Sequence, residues 1–396
     1  MSPIHHSFRS ASRGAVLRVL VWVVSIVLLL GAGAFTVFDW MLRQKYEPVL
    51  GQHQRETASW VDFFCEQQAT LAADPWFHEP RTPGDAGTLL NAWMAWDPSP
   101  PLPKGSPLLI PAGLPQKHMD FQDWLTSNVD VSTLDFGWMR QLHGYDRWDI
   151  VQNPPVAVPQ RINWATMRIP HFVPLLVWGK FRLLHGLRTG APTEAARDVR
   201  QLAWLTYRTD TLLGGAVASL LLKFERQAYD SMKDPPADWQ PMSLEQPERL
   251  RVLTMTSPSF SQLSAPLEVA QKARSCGEPV VTRCAALTEA SSFATYLRPL
   301  AKDKYRDVYD AFAQELAERP CANSLVPMLW ERGVTVLEEN PDPLIQSQVD
   351  WPSSLPGAYA KRHMVGILLS IASPSFEKLK EFRADLESGK FQQKQP

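Results

Sequence analysis

The sequence predicts an all-α protein, in which one N-terminal transmembrane helix is followed by a large, irregular helical domain with Pro-rich connectors. Three observations predict this class. Residues 19–38 form an uncharged apolar run of helical length. Further on, apolar residues recur at three- and four-residue steps between Gly and Pro breaks. Strand signals are sparse, with no sustained two-residue alternation and no Asn-Gly or Asp-Gly hairpin.

The apolar run reads VLVWVVSIVLLLGAGAFTVF, Val19 to Phe38. At about 1.5 Å per residue it spans about 30 Å, the thickness of a bilayer's hydrocarbon core. The lipid bilayer is therefore its expected partner. Arg9, Arg13 and Arg18 precede it, and Trp40 follows at headgroup level. A cleaved signal peptide shares the basic start and apolar middle, and Ala32-Gly33-Ala34 fits its cleavage pattern. A buried core helix is the third reading. The apolar stretch continuing through Phe35, Val37 and Phe38 favours a retained signal anchor. Arg43 and Lys45 lie beyond it, beside Asp39 and Glu47, so the positive-inside bias toward a cytoplasmic tail at 1–18 is small. With that orientation the body of the chain is exported, periplasmic or extracellular. Met364–Ala372 is too short for a second span and reads as a buried helix.

Composition narrows the function classes. Hydrophobic residues make up 45% of the 396 and charged residues 20%, a balance that buries a core and excludes wholesale disorder. With 40 basic against 41 acidic residues there is no basic excess, so no nucleic-acid partner is expected. The 34 prolines predict short helices joined by rigid connectors.

Residues 39–73 read as a stalk or as the first helix of the domain, with Tyr46, Leu50, Trp60, Phe64 and Leu71 near one face. Residues 74–118 form a Pro-rich connector with ten prolines, so only one helix fits, Asp85–Trp96, with Asp85 as N-cap. Pro98–Pro115 is expected to be extended and polyproline-like, wrapping its own domain or offering itself to a partner. The helical soluble domain covers 119–388. Its first part carries Phe121, Trp124, Phe136, Trp138, Tyr145 and Trp148, with a capped helix starting at Ser132 whose stripe reads as core or as an aromatic ligand platform.

The clearest helices follow. One covers Leu175–Leu187, after Pro174. Gly190 breaks the chain, and Pro192 opens a helix with Ala195, Val199, Leu202 and Leu205 inward. Asp210 or Thr211 caps a third, reaching about Met232. A connector over 233–257 is where two lobes could meet. Further helices are predicted at Ser261–Ala273, Ala285–Leu297, Lys302–Glu318, Ser324–Glu339, Tyr359–Ala372 and Ser375–Glu387, before a frayed tail at 389–396. Charges such as Glu381, Arg383 and Glu387 suit solvated helix faces.

Chemistry-bearing residues are few. Cys276 and Cys284 are close in sequence, with Gly277 and Pro279 suited to a turn, and form the expected disulfide if the domain is exported. The alternative is four buried thiols, with Cys65 and Cys321. No Cys-x-x-Cys or His-x-x-x-His spacing calls for zinc, and no cofactor or metal is expected. Ser375-Phe376-Glu377-Lys378 matches the Ser-x-x-Lys pattern of penicillin-binding enzymes, but Ser-Asp-Asn and Lys-Thr-Gly do not follow it, so Ser375 reads as an N-cap. His143, Tyr145, Asp146 and Asp149 form a polar and aromatic cluster. On a helix His143 and Asp146 could pair for acid–base work, or simply share a surface hydrogen bond.

Two functions follow. The first is a single-pass, membrane-anchored helical module of the cell envelope, non-enzymatic, that binds another envelope protein or supports an assembly. The alternative is an envelope enzyme whose site is built from distant residues, including the His143/Asp146 region.

Overall fold

A computed structural model describes residues 8–96, 101–115, 121–150, 170–260, 272, 276 and 380–389. The predicted helices at Ala285–Leu297, Lys302–Glu318, Ser324–Glu339 and Tyr359–Ala372 lie outside these residues. So do Cys284, Cys321, Ser375 and Lys378.

The described residues are helical, with no strand and only two isolated bridges, Asp85 with Arg147 and Trp96 with Pro170. Helix α1 runs unbroken over Phe8–Ala72. Within it Leu17–Met41 has a mean hydropathy of 2.4 and none of it is buried. Among the described residues this is the one helix long and apolar enough to cross a membrane. The apolar segment, the stalk and the first helix of the domain are thus one element. Past Ser59 the helix turns amphipathic: Trp60, Val61, Phe64 and Leu71 are buried. This end packs against α8 (Glu245–Phe260), where Arg249 donates to Gln67 Oε1.

The same end of α1 carries a disulfide. Cys65 is bonded to Cys276, with Cα atoms 5.4 Å apart, although the two are separated by 211 positions in sequence. This corrects the expected Cys276–Cys284 pair. Sequence proximity and a turn-forming Gly and Pro are local arguments. The partner instead comes from a helix wall that tertiary packing brings alongside.

Short elements follow α1. Asp74 accepts from Trp76 N at 2.9 Å and caps a 3-10 turn, Pro75–His78. Helix α2 covers Gly87–Trp93, shorter than the predicted Asp85–Trp96. Asp85 Oδ1 accepts from Gly87 N at 2.8 Å and from Asp149 N at 2.9 Å, so it caps from outside the helix while tying in a distant strand of chain. The described part of the Pro-rich segment is not polyproline helix, which has no internal hydrogen bonds. It is a series of turns, Ser106 N to Pro103 O at 3.0 Å, Leu109 N to Ser106 O at 3.2 Å and Leu114 N to Pro111 O at 3.3 Å. Leu108 is fully buried, and its carbonyl accepts from Trp178 Nε1 at 2.9 Å, which fastens the segment to the domain.

Helix α3 is Phe121–Leu125 and α4 is Gly137–Gln141, followed by a 3-10 turn, Leu142–Gly144. The long helix predicted from Ser132 does not form. Asp130 Oδ1 accepts from Ser132 N at 2.9 Å, and Asp135 Oδ1 from Gly137 N at 2.7 Å. These carboxylates take backbone donors that a helix would need.

The body of the domain is α5 (Val173–Thr189), α6 (Pro192–Tyr207) and α7 (Leu212–Asp230), each packed on the other two. Gly190 ends α5 in the left-handed region, φ 74°, and Pro192 starts α6 where a missing N–H costs nothing. Thr211 accepts from Gly214 N at 3.0 Å and caps α7, after a left-handed turn at Asp210, φ 55°. Ala195, Val199, Leu202 and Leu205 are fully buried, as their spacing predicts. Helices α5 and α7 approach closely because Gly179 faces Leu221, and a Cβ there would lie 2.6 Å from a Leu221 methyl. Phe121, Trp124, Phe136, Trp138 and Trp148 are all buried in the core; of the stripe predicted after Ser132, Trp138 and Leu142 are buried, and Leu134 and Tyr145 are half-buried against the core. The helical run over 380–387 is the described end of the predicted Ser375–Glu387 helix, and Arg383 lies over the Phe63 ring of α1 at 5.2 Å.

Candidate functional site

Helix α6 has two faces. The apolar one enters the core, and the other, with Thr193, Arg197, Arg200 and Gln201, floors a cleft of about 360 Å³. The chain after the first 3-10 turn, including Glu79 and Arg81, forms one wall, and Asp238 and Trp239 another. His143 also lines the cleft.

Three residues of α6 hold the turn that carries His143. Gln201 Nε2 donates to the carbonyls on either side of it, Leu142 at 2.8 Å and Tyr145 at 2.6 Å. Trp204 Nε1 donates to Asp146 O at 2.7 Å. Asp198 Oδ1 meets His143 Nε2 at 2.8 Å, while its other oxygen accepts from Arg182 Nε at 2.6 Å. Arg182 already balances the charge of Asp198, so the bond to His143 fixes the direction of the imidazole.

A second network centres on Arg200. Its Nε donates to Glu225 Oε1 at 2.7 Å, its Nη1 to Glu79 Oε1 at 3.1 Å, and its Nη2 to Gln240 O. Trp239 Nε1 donates to the same Glu225 oxygen at 2.7 Å. Glu225 is fully buried, and its Oε2 has no hydrogen-bond partner among the described residues. Burial therefore dominates and pushes its carboxyl up to about 7, although Arg200 and the Trp239 N–H pull the other way.

Arg81 faces Arg200 across Glu79. Its guanidinium sits 3.5 Å from the Trp204 ring centroid and donates to Trp76 O at 2.9 Å, Glu79 O at 3.0 Å and Glu79 Oε2 at 3.1 Å. Burial pulls it down to about 10, with the Glu79 charge opposing.

The structure divides the sequence-predicted cluster. His143 is in the cleft, but its partner is Asp198 and not Asp146. The helix expected to set His143 and Asp146 on one face has given way to a 3-10 turn, and Tyr145 is already extended. Asp146 Oδ1 accepts from Gly84 N at 2.9 Å. The Asp149 carbonyl accepts from Asn91 Nδ2 at 2.9 Å, well inside the core. Tyr145, Asp146 and Asp149 are not among the residues that line the cleft. Asp198 and Glu225 were the readable signal that sequence reasoning missed: both are charges placed on the apolar stripe of an amphipathic helix, where a charge has to find a partner.

Among the described residues no group of three or more His, Cys, Asp and Glu side chains converges as a metal ion would require. The cleft is lined with fixed guanidinium groups and hydrogen-bonding side chains, chemistry that suits a polar ligand. No family model, curated protein or solved structure matches this chain.

Proposed function

We propose that this protein is a single-pass membrane protein of the cell envelope whose helical domain is exported, periplasmic or extracellular, and works there as a non-enzymatic binding or assembly module. The observation that carries the reading is the Cys65–Cys276 bridge on the same helix as the apolar segment. At about 1.5 Å per residue, Cys65 stands about 36 Å along the axis beyond Met41, clear of any bilayer that Leu17–Met41 spans. Disulfides persist in oxidising compartments, so the bridge favours the outer side for the domain. The binding half of the reading is supported by the cleft on α6, whose charged groups are held in place before any ligand arrives.

The test is fractionation of cells expressing the full chain. The expected result is a membrane pellet that resists alkaline carbonate, in which both Cys65→Ser and Cys276→Ser abolish the same fast-migrating species on a non-reducing gel. Release by carbonate, or free thiols at both positions, would overturn the reading.

The His143–Asp198 contact favours a second reading, an envelope enzyme with His143 as general acid–base group. Under that reading His143→Gln alone abolishes the cellular phenotype of the intact protein. Under the binding reading Arg197→Ala at the cleft does so as well.

A further inference from the structure

Glu79 Oε2 lies 3.1 Å from Arg81 Nη2, and Glu79 Oε1 lies 3.1 Å from Arg200 Nη1. Two guanidinium groups thus grip the two oxygens of one carboxylate. Each is held from behind by something other than Glu79's side chain. Arg81 is stacked on Trp204 and bonded to Trp76 O, and Arg200 is bonded to buried Glu225 and to Gln240 O. Glu79 itself is the least confined member of the group. Its side chain is 36% exposed, against 10% for Arg81 and 19% for Arg200, and it faces the open cleft.

We propose that this pair of arginines is a carboxylate-binding clamp, which Glu79 fills in the free protein and which the carboxylate of a ligand takes over from it. The exchange replaces one carboxylate by another, so the charge balance with Arg81, Arg200 and Glu225 is kept. The cleft in front has the volume of a small-ligand site. Arg197 on its floor adds a third cation, and Asp238 on its wall disfavours a second anionic group on the ligand. A ligand with one carboxylate and otherwise neutral or cationic groups fits this pattern, either a peptide C-terminus or a small free acid. The inference deepens the reading of the domain as a binding module and rests on it.

The experiment is calorimetric titration of the full-length protein in detergent micelles with tri-alanine, tri-alanine C-terminal amide and acetate. Charge-assisted hydrogen bonds to a guanidinium pair predict that the amide binds at least about tenfold more weakly than the free acid. Glu79→Gln, which keeps the shape and removes the competing charge, should tighten tri-alanine severalfold, with thermal unfolding reporting that the variant is folded. Tri-alanine binding well above acetate assigns the site to peptide ends, and equal affinity assigns it to small acids; both support the clamp. Equal binding of acid and amide would overturn it. So would an absence of heat with wild type, including the case where Glu79→Gln alone binds, since Glu79 would then be a permanent partner. Anchoring and disulfide formation are read by fractionation, so a null titration on a membrane-embedded, disulfide-bonded protein removes this inference alone.

Discussion

Arg182 Nε lies 2.6 Å from Asp198 Oδ2 between α5 and α6, and the two side chains are only 5% and 2% exposed. A buried pair of this kind gives little net stability over an apolar pair, but breaking it strands a charge. Asp198→Ala should therefore lower stability by about 3–5 kcal/mol, and Asp198→Asn by less, because the amide oxygen still accepts from Arg182. Thermal unfolding of the detergent-solubilised protein measures both. Equal stability of Asp198→Ala and wild type would contradict the buried pairing.

Glu225 sets a pH dependence whose sign is opposite to that of an ordinary ion-paired carboxylate. Its folded value of about 7 lies above its ordinary 4.5, so the folded state binds the extra proton between these limits. Stability then falls as pH rises from about 4.5 to 7, by about 3 kcal/mol in total, and levels off above. Asp74, also raised by burial, contributes a fall of the same sign that begins lower, from its ordinary 3.8. Glu225→Gln should flatten most of the fall, and stability curves for the two proteins across this range decide the matter. A slope unchanged in Glu225→Gln would contradict it.

Much of the fold was legible where local chemistry decides it. Gly190, Pro192 and Thr211 mark the limits of α5, α6 and α7, and the four apolar positions of α6 are buried as spaced. Reading failed where side chains compete with the helix for backbone donors, at Asp130 and Asp135, and where turns replaced polyproline structure around Leu108. The candidate site was nearly illegible, because its partners are distant in sequence: His143 and Asp198 are 55 residues apart, and Glu79 and Arg200 are 121 apart. Pairing over such separations depends on which helix faces meet, and no local motif records that.

The start of α7 is closely packed. A Cβ on Gly214 would run into Thr206 O and Thr209 Oγ1 and lie 3.0 Å from Thr211 Oγ1, the capping oxygen. Gly214→Ala should cost roughly 1–3 kcal/mol through overpacking. Gly190→Ala meets open space and should cost about 1–2 kcal/mol for its left-handed backbone alone. Combining Gly214→Ala with Thr209→Ser leaves the clash in place and combining it with Thr209→Gly relieves part of it, a comparison that thermal melts can read.

The Cys65–Cys276 bridge closes a long loop and joins α1 to the far part of the chain. Cys276→Ser should lower stability by about 2–5 kcal/mol, and reducing agent should do the same to wild type but not to the variant. Identical melts with and without reductant would contradict a bridge that supports the domain.

On the proposed reading, α1 carries the domain across a membrane to the outside. This placement is tested most directly by fusing a reporter that is active only outside the cytoplasm to the C-terminus, after Pro396, beside a matched fusion to a cytosolic reporter. Activity is expected from the first fusion and none from the second. The reverse pattern would put the domain in a reducing compartment, and both the exported orientation and the structural role of the disulfide would fall with it.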